Sequence, residues 1–284
     1  MNGKTVVVTG ANSGIGEATA RELARAGSRV ALVCRSSEKG QGAVERIRGQ
    51  VPRAELDLHL CDLSSFRSVR EVASSILAQH PRLDVLVNNA GLYLPSRQLT
   101  EDGLEATVQI NHFGPFLLTS LLAPRLIESG PARIINVSSE AHRGARMRFE
   151  DLQSEKSYRG FEVYGMSKLM NILHARALAK RLDPARVTAN ALHPGVVATG
   201  FAQDEKSLFG TLLKTFGFLL RSPSSGAKTT LHLVTHSDGA KVTGRYFSDE
   251  KEKRPTRAAL DDESAERLWA ESERLTGAPA FPHA

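Results

Sequence analysis

Apolar residues recur along this chain in two rhythms. Val30–Cys34 is a short continuous apolar run, as a strand covered on both faces should be, and Thr5–Thr9, Leu56–Cys61, Leu83–Asn88, Ile134–Ser138 and Val187–Leu192 read as further strands. Between them lie longer stretches with helical spacing. The first opens near Gly14, carries Ala18, Leu23 and Ala24 on its apolar side and stops at Gly27. Strand and helix alternate almost to the C-terminus, which predicts right-handed βαβ crossovers and an α/β, doubly wound parallel sheet in a single domain spanning 1–284. Tyr246-Phe247 after Gly244 reads as a last edge strand, Glu250–Pro255 as a charged surface turn, and Asp262–Leu275 as a closing amphipathic helix. Two segments break the rhythm. Arg143–Gly160 is polar and reads as an exposed loop, and Ala202–Ser225 crowds leucines and phenylalanines between the sixth strand and the next helix.

Composition narrows this little. Hydrophobic residues at 41% and charged residues at 24% exclude a disordered chain and say nothing of substrate. The formal charge of +6 would suit nucleic acid, but the basic residues are interspersed with acidic ones, so no nucleic-acid partner is expected. Only Cys34 and Cys61 are present, in no zinc or redox spacing. They point to a reducing compartment, and with a chain that starts at its first strand without a leader, a cytoplasmic location is expected. No window approaches about 20 uninterrupted apolar residues, so no transmembrane segment is expected.

Two motifs carry chemistry. Thr9-Gly10-Ala11-Asn12-Ser13-Gly14-Ile15-Gly16 follows the apolar Val6-Val7-Val8, as a strand entering a glycine turn that opens a helix. Free N–H groups and the positive helix end suit a pyrophosphate there, and glycine lets it approach the backbone. Far downstream, Tyr164-Gly165-Met166-Ser167-Lys168 places a phenol and an ammonium one turn apart on one helix face, the arrangement of a proton donor with a cationic helper. The second strand ends in Arg35, where dinucleotide folds commonly place an acid for the ribose 2′-hydroxyl. A guanidinium pairs instead with a 2′-phosphate, so NADP(H) is the expected cofactor.

Between the motifs lie Asn88-Asn89-Ala90-Gly91 after Val85-Leu86-Val87, then Asn111, then Ser138-Ser139 after Ile134-Ile135-Asn136-Val137. This succession, from Lys4 to about Gly195, resembles the short-chain dehydrogenase/reductase family with its Rossmann fold. Cys34-Arg35, Asn111-His112-Phe113-Gly114, Leu192-His193-Pro194-Gly195-Val196-Val197 and Arg267-Leu268-Trp269 resemble its retinol-dehydrogenase-like branch. The resemblance implies catalytic roles for Asn111, Ser139, Tyr164 and Lys168. Tyr164 would be the acid/base and Ser139 the hydrogen-bond partner of the substrate oxygen, with Ser138 as rival because one step along a strand reverses the side chain. Lys168 would favour tyrosinate and grip the nicotinamide ribose, and Asn111 would hold a water linking Lys168 toward solvent. Cofactor contacts would come from Gly10, Asn12, Ser13, Gly14, Ile15 and Gly16, from Asp62 at the adenine amino group, and from the Leu63 backbone. Asn88, Ala90 and Gly91 would support the central part, although the turn holding Ala90 reads equally as a strand tie. Pro194, Gly195, Val197 and Thr199 would border the nicotinamide.

The function so implied is hydride transfer between NADP(H) and a lipophilic alcohol or carbonyl compound. A dinucleotide sensor or scaffold without turnover is the alternative. There is no Gly-x-Ser-x-Gly elbow for a hydrolase, and no His-Glu-x-x-His or paired-cysteine spacing, so no metal is expected. Segment 202–225 is expected to act as a substrate lid, with an ordinary packing helix or, since Lys214 and Arg221 flank the apolar residues, a peripheral membrane contact as alternatives. Relatives pair through the helices of Asn111 and Tyr164 in many cases while retinol-like members depart from this, which leaves a monomer and a homo-oligomer both open.

Overall fold

The computed structural model describes residues 1–195 and 222–282. Its strands are β1 (Thr5–Thr9), β2 (Arg29–Cys34), β3 (Leu56–Leu60), β4 (Val85–Asn88), β5 (Ala132–Val137), β6 (Val187–His193), β7 (Tyr246–Ser248) and β8 (Lys251–Glu252). They form one sheet in the order β3-β2-β1-β4-β5-β6-β7-β8. Every described pairing is parallel except β7 with β8. The order reverses between β1 and β4, which opens a crevice at the carboxyl ends of the strands.

Both faces of the inner strands are apolar because both are covered, whereas Leu60 of the edge strand β3 is exposed. Val7, Ala31, Val33, Leu86, Ile134 and Ala189 join one buried cluster. Their chain neighbours Val6, Val8, Val30, Leu32, Val85, Val87 and Ile135 join another. Against the second face lie α1 (Gly14–Arg25), α2 (Ser37–Gln50) and α7 (Pro223–Thr235). The first face carries α3 (Phe66–Gln79), α5 (Gly114–Ser129) and α6 (Gly160–Arg181), with the closing helix α9 (Asp262–Thr276) packed on α6. Two short helices complete the set, α4 (Ala106–Val108) and α8 (Asp238–Lys241). Helix α6 is buried on nearly every side, from Val163 through Leu178.

The sequence pattern departs from the structure in three places. Tyr246-Phe247 does pair with β6, but β8 extends the sheet beyond it, so it is not the edge. The hairpin turns through Asp249 and Glu250 at φ 54° and 61°, a two-residue turn made without glycine. Segment Arg143–Gly160 is not a free loop: Leu152 is buried in the core, and Arg267 of α9 stacks 4.3 Å above Phe149 while pairing with Glu150 at 2.7 Å. Finally, α4 runs into α5 through a π turn at Gln109–Phe113. Cys34 and Cys61 are buried free thiols on neighbouring strand ends.

Candidate active site

Because β1 to β6 are parallel, the loops after them gather at one end of the sheet. The loop after β1 is shaped to keep its backbone bare. Gly10 and Gly14 take φ of +66° and +57°, values that favour glycine. A Cβ on Gly16 would stand 2.2 Å from the Gly10 carbonyl oxygen, so only glycine lets α1 begin where it does. Ser13 caps α1 in extended conformation without a side-chain cap bond. The first N–H groups of the helix, at Gly14, Ile15 and Gly16, have no intrahelical partner by construction and give the helix start the character of an anion site. Arg46 brackets the turn from α2, donating to the Asn12 carbonyl at 3.1 Å and pairing with Glu17 at 2.7 Å.

Thr9 fastens this turn to the next one. Its hydroxyl accepts from the N–H groups of Asn89 and Ala90, both at 3.0 Å, and its carbonyl accepts from the Asn89 amide at 2.8 Å. Asn88 points elsewhere: its amide donates to Thr119 Oγ1 at 3.0 Å and Asn136 Oδ1 at 2.9 Å inside the core. Its side-chain oxygen is buried without a hydrogen-bond partner among the described residues.

Arg35 stands exposed just past β2, with no hydrogen-bond or ion-pair partner among the described residues. Past β3, Asp62 Oδ1 accepts from the Ser64 N–H at 2.9 Å and its hydroxyl at 2.6 Å, which fixes the carboxylate orientation. Leu63 is buried, its carbonyl so close under Gly114 that a Cβ there would stand 2.6 Å away. Past β6, Pro194 is buried and Gly195 takes φ +89°. Val197, Thr199 and residues 202–221 of the expected lid lie outside the described residues. Ser222–Ser225 form the cap and first turn of α7.

The chemical groups meet where β5 runs against α6. The Ser138 hydroxyl donates to the Lys168 carbonyl at 2.7 Å, so it is spent on joining strand to helix. One residue further the side chain reverses, and Ser139 hydrogen-bonds Tyr164. Lys168 is 4% exposed; its Nζ donates to the Val137 carbonyl at 3.2 Å and lies 5.6 Å from the Tyr164 ring centroid. A Cβ on Gly91 would come within 2.9 Å of that Nζ and 3.2 Å of Asn111 Oδ1, so a glycine after β4 gives the ammonium its room. Asn111 sits in the π turn, accepting from the Leu92 N–H at 2.7 Å and donating to the Leu92 carbonyl at 2.8 Å and Ser167 Oγ at 2.9 Å. Its amide thus pins the β4 loop to α6. Burial pushes the Tyr164 phenol up to about 12, the Ser139 hydrogen bond acting in the opposite sense. Burial likewise draws the Lys168 ammonium down to about 8. The phenol is therefore held protonated at neutral pH, beside a cation whose charge is only weakly held.

A glycine turn at the β1/β4 switch point and a Tyr-x-x-x-Lys pair beside a strand-end serine define an oxidoreductase of the short chain dehydrogenase family, and the chain belongs to it. The family's model matches residues 4–207. The chain is 44% identical to mouse (Mus musculus) retinol dehydrogenase 12 over 275 residues, covering 97% of this chain and 87% of that one. Among solved structures, an uncharacterised protein from Mycobacterium paratuberculosis has 33% identity and a TM-score of 0.79, covering 99% of this chain and 96% of that one. An actinorhodin polyketide ketoreductase solved with NADPH has 25% identity and a TM-score of 0.68, covering 87% and 97%. The family uses a nicotinamide dinucleotide and a small-molecule substrate, and the likeness lies with its retinol-dehydrogenase-like branch. No helix among the described residues is long and apolar enough to cross a membrane.

Several positioning residues escape a reading of the sequence. Thr9 carries one signal, a hydroxyl at the last strand position before the glycine turn. Asn171 donates to the same Val137 carbonyl as Lys168, at 3.1 Å, and sits three residues further along α6. Tyr93 meets Tyr164 edge to face at 6.3 Å, and nothing in its spacing announces this. His193, by contrast, is readable from the sequence as a structural strand-end histidine, and it accepts from the Glu140 N–H at 3.3 Å, steadying the residue after Ser139.

Proposed function

We propose that the protein transfers hydride between NADP(H) and a lipophilic aldehyde, ketone or alcohol, with Tyr164 as the acid/base. The observation that carries this reading is the meeting of Ser139, Tyr164 and Lys168 beside the bare glycine turn. The chain fits the dinucleotide: Gly10 and Gly14 hold the turn after β1 at positive φ with no side chain over it, and the first turn of α1 offers N–H groups without a side-chain cap. Gly10 to Gly16 would hold the pyrophosphate, Asp62 and Leu63 the adenine, Ala90, Gly91 and the Asn88 backbone the central part, and Pro194, Gly195, Val197 and Thr199 the nicotinamide end. Arg35, exposed and unpartnered, supports a 2′-phosphate and hence NADP(H) over NAD(H). The bound cofactor supplies or accepts the hydride.

The chain's own residues handle the proton. In reduction, Ser139 and Tyr164 both donate hydrogen bonds to the carbonyl oxygen, and Tyr164 gives up its proton as negative charge develops there. Lys168 holds its positive charge beside the phenolate left behind. Without that charge a buried phenol is a poor acid at neutral pH. In oxidation the same groups run in reverse, and Tyr164 accepts the hydroxyl proton. Asn111 keeps the β4 loop and α6 at a fixed separation. The name of the retinol dehydrogenase relative supports a lipophilic substrate, as do the leucines and phenylalanines in the sequence of 202–225, read as a lid.

Steady-state turnover with NADPH and NADH across aldehydes, ketones and alcohols of graded chain length tests this reading. The expected result is a preference for NADPH and a kcat/KM that rises with chain length. Tight NADPH binding with no turnover across the panel would favour the sensor or scaffold instead.

A further inference from the structure

Helix α7 ends in a cluster that the proposed reaction does not use. His232 and His236 lie one turn apart, and Asp238, two residues beyond, opens α8. The Asp238 carboxylate reaches both rings, Oδ2 at 3.1 Å from His232 Nε2 and Oδ1 at 3.2 Å from His236 Nδ1. The rings are stacked, 4.6 Å apart with 18° between their planes. One nitrogen from each histidine and a carboxylate oxygen all fall within 4.8 Å of one another.

A zinc ion bound at about 2.0–2.1 Å by tetrahedral ligands spaces its donors by about 3.4 Å. The two histidine–carboxylate separations, one to each carboxylate oxygen, fall just short of this, the three donor atoms lie within 4.8 Å, and the exposed His236 ring would turn out of the stack to aim its nitrogen at a shared ion. The hydrogen bonding at the site is in conflict without an ion. His236 Nδ1 also faces the Asp238 backbone N–H at 3.3 Å. With a proton on Nδ1 the ring satisfies the carboxylate and abandons the N–H; without one, its lone pair faces carboxylate lone pairs. A cation between Nδ1 and the carboxylate removes that second repulsion. The neighbouring charge that opposes a cation is Arg133, but its Nη1 is turned to the helix-end carbonyls of Leu233, Val234 and His236 at 2.7, 2.6 and 2.9 Å. Asp238 supplies the compensating negative charge. His232 is 15% exposed and His236 55%, so the cluster opens to water, which would complete the coordination shell.

We propose that His232, His236 and Asp238 form a zinc site that fastens the end of α7 to the start of α8. Arg133 lies near the start of β5 and Ser139 just past its end, so the site stands most of a strand length away from Tyr164. Its role is accordingly structural, apart from hydride transfer.

The test uses the full-length, untagged protein, titrated with Zn2+ by calorimetry and with Co2+ as a spectroscopic probe. The expected result is one equivalent of Zn2+ bound, four-coordinate Co2+ bands in the visible, and a rise in Tm with Zn2+. His236→Ala, at an exposed position, and Asp238→Asn, at a half-buried one, should each weaken binding at least ~10-fold, a floor set by the losses seen when outer-shell partners of a metal are removed. Both variants should keep the wild-type far-ultraviolet circular dichroism and wild-type carbonyl reduction. Affinity no higher than that of the His232→Ala/His236→Ala double variant, or a six-coordinate Co2+ spectrum, would overturn the proposal.

Discussion

The glycine turn after β1 and the junction of β5 with α6 face the same crevice and are built on opposite principles. The turn works by subtraction. At Gly16 even a methyl group would collide with the Gly10 carbonyl, and what remains is bare backbone N–H groups aimed by a helix end. The junction works by enclosure, since Lys168 is almost wholly buried with a carbonyl as its hydrogen-bond acceptor, and the phenol beside it is shifted by the same loss of water. A binding surface for a phosphate needs no titrating group, whereas proton transfer needs groups whose charge the protein has made costly. The two regions should therefore respond differently to substitution.

The largest expected effect is at the junction. Tyr164→Phe removes the phenolic oxygen with little change of volume, so turnover should fall by roughly 100- to 10,000-fold while NADPH titration and thermal unfolding stay near wild type. Near-normal kcat would remove Tyr164 from the mechanism. At the turn, Gly16→Ala should act on structure and binding together, costing about 3 kcal/mol as the helix start is forced away from Gly10. Chemical denaturation and NADPH binding read this out; unchanged values for both would show that the turn is not as tight as drawn.

Lys168→Met separates stability from activity. The folded lysine, at about 8, lies below its ordinary 10.5, so between those values the unfolded chain holds more protons and stability rises with pH. Below pH 8 the buried ammonium carries its full cost, on the order of 3 kcal/mol. The unliganded Met variant should thus be more stable than wild type at pH 7, by an amount that shrinks toward pH 10, and should turn over poorly. A loss of stability at pH 7 would contradict the desolvation argument. The smallest effect is expected at Arg35, an exposed group. Arg35→Asp should lower the NADPH-to-NADH ratio of kcat/KM by about tenfold or more, through repulsion of a 2′-phosphate. An unchanged ratio would separate Arg35 from cofactor choice.

The same contrast explains what the sequence discloses. Strands β1, β2 and β4 are legible because both faces are buried and their apolar runs are continuous, β3, β5 and β6 through their place in the strand–helix rhythm, and the glycine turn because few other residues can occupy it. The Tyr164 and Lys168 pair is visible through helix periodicity alone. Contacts made by ordinary residues in tertiary context are not visible in this way. Thr9 clamps two loops with one hydroxyl, and Asn88 turns its amide into the core although its neighbourhood suggests the cofactor. The π turn at Asn111 leaves no periodic mark. Strand β8 is two charged residues long and follows a turn in which Asp249 and Glu250 take positive φ without glycine, so it reads as surface. The insertion 143–160 looks exposed by composition, yet Leu152 and Phe149 anchor it.

The central claim is that Tyr164 delivers the proton with support from the Lys168 charge. The most direct measurement is kcat/KM for carbonyl reduction against pH at saturating NADPH, in wild type and in Lys168→Arg, whose guanidinium stays charged throughout. The account predicts an alkaline loss of activity in wild type beginning at or above about pH 8, and no such loss over the same range in the residual activity of Lys168→Arg. A wild-type profile flat to pH 10, or the same alkaline loss in both proteins, would contradict it.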